Sequence, residues 1–176
     1  MEKAHFVYQD STIEFVTVAV QTCLQLEHVV ECDKQTFVLR MSRLLPLLYL
    51  KASMLECPDR LSDNEPQHFV YEEDYEMIRM GVKTLLGNDD AYLEVFLEDM
   101  RYSDEPLTEY ISEGLADIYQ ELKDMAGNYQ TENEDVMSDA IGTCIDAFKE
   151  HWGQKVVNIM RPLHALTIAN LSDETE

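Results

Sequence analysis

Nonpolar residues recur every three or four positions along almost the whole chain, and no window alternates convincingly at every second position. That spacing selects α-helices with one buried stripe and argues against a sheet protein. The first helix is expected from Ser11, in a capping box with Glu14, to about Glu31, with apolar residues on more than one face. Asp33 is the expected cap of a second helix, in which Phe37, Met41, Leu44 and Leu48 share a side; Pro46 predicts a kink or restart near Leu45. "CPDRLSDNEPQ" reads as an exposed connection. Tyr71, Tyr75, Ile78, Val82 and Leu85 mark a third helix, with acids in its first turn and Gly87 at its end.

A short helix is then expected around "DAYLEVFLEDM", followed by one capped by Asp104 with Pro106 just inside and a stripe of Leu107, Ile111, Leu115, Ile118, Leu122 and Met125. Gly114 lies on the buried side, where a glycine costs about 1 kcal/mol, so another helix is expected to approach closely there. From Glu132 to Asn170 the period never breaks, which fits one long helix bent near Gly153 and Pro162 or two in succession. Short links between such helices imply antiparallel neighbours. The expected fold is a single all-α domain over residues 1–176, an antiparallel bundle of five to seven helices, ordered from about 8 to 170 with a polar tail at 171–176.

Charge narrows the partners. The 176 residues hold 13 Lys and Arg against 35 Asp and Glu, a net charge of −22. Such a chain repels nucleic acid and anionic lipid, so neither is expected as a direct partner; solvation, a basic protein or cations are the simplest uses. The longest apolar run, "LLPLLYL", is too short to span a bilayer, and the first residues lack the apolar segment of a signal peptide. Cys23, Cys32, Cys57 and Cys144 are widely spaced, which fits reduced thiols in a cytoplasmic protein rather than a zinc module.

In helical register Glu105, Glu109, Glu113, Asp117 and Glu121 stand four apart, well around the helix from the apolar stripe. Each adjacent like-charged pair costs roughly 0.2–0.5 kcal/mol in isolation, so the row invites a reason. A solvated face is the plainest one. Neutralisation within the fold is another, by Arg79 and Lys83 or by Arg40, Arg43, Lys155 or Arg161. The third is a hard divalent cation, Mg²⁺ or Mn²⁺, on Glu113 and Asp117, with Glu98, Asp99 and Asp104 nearby. Glu73-x-x-Glu76 and Glu121-x-x-Asp124 imitate the paired motifs of metal-dependent all-α pyrophosphatases, but they are far apart in acidic helices. No histidine has Glu three residues before it, which removes a di-iron bundle. In "HWGQKVVNIMRPLH", Trp152 belongs to the apolar line, while Arg161 and His164 share one side and could hold an acidic ligand. Nucleophilic catalysis and phosphate-binding loops have no motif here.

Five stretches, "FVTVA", "LLPLLYLKAS", "YLEVFLEDMRYSDEP", "ISEGLADIYQEL" and "HWGQKVVNIMRPLHAL", together resemble an uncharacterised bacterial family of small acidic all-helical proteins, a domain of unknown function. The resemblance spans nearly the whole chain and implies a stand-alone helical domain without supplying an activity. Asp99, Asp104, Leu115, Asp117, Ile118, Trp152, Gly153, Arg161 and His164 match its pattern. The chain departs from that pattern at Gly114, where family members often carry an acid, and at Pro162, where they carry a small helix former.

Two functions follow as expectations. The first is a non-catalytic interaction module, without cofactor, for a basic protein partner or for self-association. The second is a divalent-metal-dependent phosphohydrolase or nucleotide-processing enzyme using Mg²⁺ or Mn²⁺. The candidate binding residues are Asp99, Asp104, Glu113, Asp117, Arg161 and His164.

Overall fold

A computed structural model describes residues 5–62, 65–94 and 106–173. Among them are six α-helical segments: α1 (Asp10–Glu27), α2 (Lys34–Ser53), α3 (Glu72–Leu86), α4 (Ile111–Tyr129), α5 (Glu134–Ala147) and α6 (Gly153–Asp173). Two strands, β1 (Ala91–Glu94) and β2 (Leu107–Tyr110), pair antiparallel, with Tyr92 opposite Glu109 and Glu94 opposite Leu107. The all-α single-domain reading holds, with this small hairpin added.

α4 is the hub. Ile111, Leu115, Ile118, Leu122 and Met125 are all buried along its expected stripe, and the helix packs against α1, α3, α5 and α6. α2 closes the far side by packing on α1 and α6. At Gly114 a Cβ would stand 2.5 Å from Ile159 Cδ1, so the glycine lets α6 seat against α4. Trp152 is 1% exposed, and its indole N–H donates to the Cys144 carbonyl at 2.9 Å.

Several boundaries differ from expectation. α1 starts at Asp10 behind a 3₁₀ turn, with no side-chain cap; Glu14 reaches Lys51 on α2 instead of closing a box on Ser11. It ends at Glu27, and Val29–Glu31 form a separate 3₁₀ turn. Asp33 does cap α2, accepting from the Thr36 amide at 2.9 Å. That helix runs through Pro46 as one element, with no restart at Leu45. α5 and α6 form one continuous run through a π-turn at Phe148–Trp152, and α6 continues past Pro162. The extra residue of that turn lies where Gly153 is needed: a Cβ there would sit 2.5 Å from the Phe148 carbonyl oxygen.

The largest correction is at the hairpin. Ala91–Glu94 is a strand, not the start of a helix, and α4 begins at Ile111 rather than near Asp104. The helical reading failed because the strand inverts the usual alternation: Leu93 is 54% exposed while Glu94 is 3% exposed. Its inner side faces a polar cavity rather than the core, so hydrophobicity could not reveal the period of two. The acidic row is therefore split. Glu109 lies on β2 and only Glu113, Asp117 and Glu121 lie on α4; all four are half-buried rather than turned cleanly outward.

Among the described residues no helix is long and apolar enough to cross a membrane. All four thiols are free; burial pushes Cys23 up to about 12 and Cys57 up to about 11, so neither carries thiolate near neutrality.

Candidate functional site

The hairpin and α3, α4 and α6 enclose a cavity of about 350 Å³. Each element contributes for a local reason. β1 sends Tyr92 and Glu94 inward at a spacing of two, and β2 adds Glu109 and Tyr110. α4 presents Glu113 and Asp117 one turn apart, on either side of the glycine that admits α6. α3 supplies Tyr75; the π-turn and the start of α6 supply Glu150, His151, Gln154, Lys155 and Asn158. Five carboxylates and three phenols thus face one lysine and one histidine.

Both oxygens of Asp117 are engaged. Tyr75 donates its hydroxyl to Oδ1 at 2.7 Å, and Lys155 Nζ stands 2.7 Å from Oδ2. These bonds tie α3 and α6 to α4 within the cavity lining. Burial, the bond to Asp117, and the charges of Asp117 and Glu113 push the Tyr75 phenol far above its ordinary value. Tyr92 is pushed up to about 12, first by burial, then by Glu94 and Glu109, with Arg161 opposing. Both phenols therefore remain neutral donors at physiological pH.

Of the residues expected from the sequence, Glu113 and Asp117 meet in this cavity. Arg161 does not line it: the guanidinium donates to the Leu93 carbonyl and fastens the hairpin to α6. His164 is exposed one turn further on and does not line the cavity either. Asp99 and Asp104 lie outside the described residues, as does Glu98. Neutralisation inside the fold is realised by Lys155. Tyr75, Tyr92, Tyr110, Glu94 and Glu150 were not legible as site residues; Tyr92 and Glu94 carry a period-two signal only two side chains long.

Further down α4 the acids do different work. Asp124 Oδ1 accepts from the Phe69 and Val70 amides at 2.6 and 2.9 Å, and Oδ2 meets His68 Nδ1 at 2.8 Å. Asn128 accepts from the Gln67 amide and donates to its carbonyl. Asp139 on α5 accepts from the Leu61 and Ser62 amides. Together they strap the connection between α2 and α3 across the bundle. Gly127 leaves room for it, since a Cβ there would stand 2.4 Å from the Phe69 ring.

Residues 6–169 match the family described as a domain of unknown function, DUF5063. The chain belongs to that family. A solved structure supports the fold: the crystal structure of protein BF1032 from Bacteroides fragilis superposes with a TM-score of 0.81 at 38% sequence identity, covering 92% of this chain and 94% of that one. A comparison with curated proteins found no match.

Proposed function

We propose that this DUF5063 chain is a non-catalytic cytoplasmic binding module whose cavity takes a positively charged side chain of a basic protein partner. The observation that carries this reading is the lining: Glu94, Glu109, Glu113, Asp117 and Glu150 with Tyr75, Tyr92 and Tyr110 around about 350 Å³. A cation there gains charge-assisted hydrogen bonds and aromatic faces worth about 0.5–1 kcal/mol each. Lys155 is bound to Asp117, and the lining as a whole carries five carboxylates against one lysine and one histidine. The test is calorimetric titration with short Lys- and Arg-containing peptides. Millimolar or tighter binding is expected, weakened by salt and by Glu109→Gln with Glu113→Gln, which spare the Asp117 contacts. Absence of heat up to millimolar peptide, or affinity indifferent to both changes, rejects the reading.

The second reading, a phosphohydrolase or nucleotide-processing enzyme with Mg²⁺ or Mn²⁺ on Glu113 and Asp117, is favoured by those two acids sharing the cavity. The donor set as it stands fits poorly. Both Asp117 oxygens are already engaged, and among the described residues no group of three or more His, Cys, Asp or Glu side chains is placed to hold a metal ion. Titration with Mn²⁺, repeated after Glu113→Gln, decides it: submillimolar binding lost in the variant would revive the enzyme reading.

A further inference from the structure

The molecule is electrically two-sided, and the side opposite in character to the cavity is unaccounted for. Helix α2 contains no Asp or Glu, although the whole chain has 35, and it holds Lys34, Arg40, Arg43 and Lys51. Residues 153–172 of α6 are also free of acids and hold Lys155 and Arg161. Lys34, Lys51 and Lys155 are matched internally by Asp89, Glu14 and Asp117. Arg40 and Arg161 bond neutral oxygens, the Gln25 amide and the Leu93 carbonyl, and Arg43 is exposed.

Between these charges the surface is apolar. Leu39, Arg43, Leu47, Leu50 and Met54 follow at steps of 4, 4, 3 and 4 down the outside of α2, with Leu50 51% and Met54 65% exposed. Val157, Arg161, His164 and Ile168 follow at 4, 3 and 4 down the outside of α6. The two helices run antiparallel side by side, joined by Ser42 to Thr167 at 3.0 Å and by the rings of Tyr49 and Phe148. The two exposed stripes therefore lie on neighbouring helices, with Arg40 turned toward α1 and Arg161 toward the hairpin.

A helix with the complementary face exists in the chain itself. Outward on α3 lie Glu72, Glu73, Met77, Met80 and Thr84, with Met77 59% and Met80 46% exposed. We infer that the exposed face of α2 in one copy receives the α3 face of a second copy, with Arg40 and Arg43 meeting Glu72 and Glu73 while Leu47 and Leu50 meet Met77 and Met80. Methionine adapts to a convex apolar partner, and the acids of α3 answer the arginines of α2, which a second α2 face, having no Asp or Glu, does not. Because the two patches differ, the contact is head-to-tail, closing as a reciprocal pair or extending as a row. This association uses neither the cavity nor its ligand.

Sedimentation velocity from micromolar to about 1 mM protein tests it at about 0.15 M salt, where repulsion between the −22 charges is screened beyond roughly 8 Å. Concentration-dependent association is expected. It is lost in Leu50→Glu, in Arg40→Glu with Arg43→Glu, and in Glu72→Arg with Glu73→Arg; all these positions are exposed, so circular dichroism stays that of the parent. Mixing the two charge-reversed proteins restores a heterologous complex. A sedimentation coefficient independent of concentration, association that survives charge reversal, or failure of the reversed pair to combine overturns the inference.

Discussion

Asp117 and Asp124 stand two turns apart on α4, and both carboxylates have donors on each oxygen, yet they serve different ends. Asp124 holds backbone: two amides of the α2–α3 connection and the His68 ring converge on its carboxylate. Asp117 holds side chains, Tyr75 and Lys155, in the lining of the cavity. The difference teaches how a chain with 35 acids stays compact. Some carboxylates replace missing backbone partners and strengthen the fold, whereas others crowd a cavity wall and weaken it by repulsion. Surface salt bridges add little to either class.

Removing the strap pins should have the largest effect. Asp124→Ala orphans two partly buried amides, each costing about 1–3 kcal/mol, so urea unfolding is expected to show a loss of roughly 2–4 kcal/mol. Asp139→Ala, which frees the Leu61 and Ser62 amides, should fall in the same range. A loss below half a kcal/mol in both would mean that the connection is held by its apolar contacts alone.

The cavity residues should separate into two grades. Tyr75→Phe removes one hydrogen bond to a charged partner and is expected to cost about 1.5 kcal/mol. Glu113→Gln removes a like charge beside Asp117 and should leave stability within about 0.5 kcal/mol of the parent or raise it. Thermal unfolding at low and high salt would show the gain shrinking as salt rises. A clear destabilisation by Glu113→Gln would place that carboxylate among the pins and blur the contrast.

Legibility from the sequence follows the same division. The stripe of α4, the close approach at Gly114, the Asp33 cap and the core position of Trp152 all rest on local periodicity or single-residue chemistry, and each is present. The hairpin was unreadable because its inner positions carry Tyr92, Glu94 and Glu109, so its polarity points inward. The cavity joins residues 75, 92, 109, 113, 117, 150 and 155, which only the packing of α6 on α4 brings together. Asp124 stood out in the sequence only as the end of Glu121-x-x-Asp124, and Asp139 not at all; nothing in a sequence tells a carboxylate which distant amides it will meet. Arg161 and His164 were read as a pair from their spacing, but one fastens the hairpin and the other faces outward.

The smallest effect expected is a pH slope. The bond and charge of Asp124 raise the His68 pKa above its ordinary 6.5, although the ring is largely exposed. A raised histidine binds its proton more tightly in the folded state, so the stability it adds is fully present below about 6.5, the unfolded value. That stability fades as pH climbs through the folded value. His68→Gln should therefore cost a few tenths of a kcal/mol at pH 5.5 and nothing at pH 8.5, a difference small because solvent screens the pair. Unfolding midpoints of parent and variant measured across that interval give the sign directly. A deficit that grows with pH would mean that the neutral ring, not the imidazolium, is what Asp124 and the strap require.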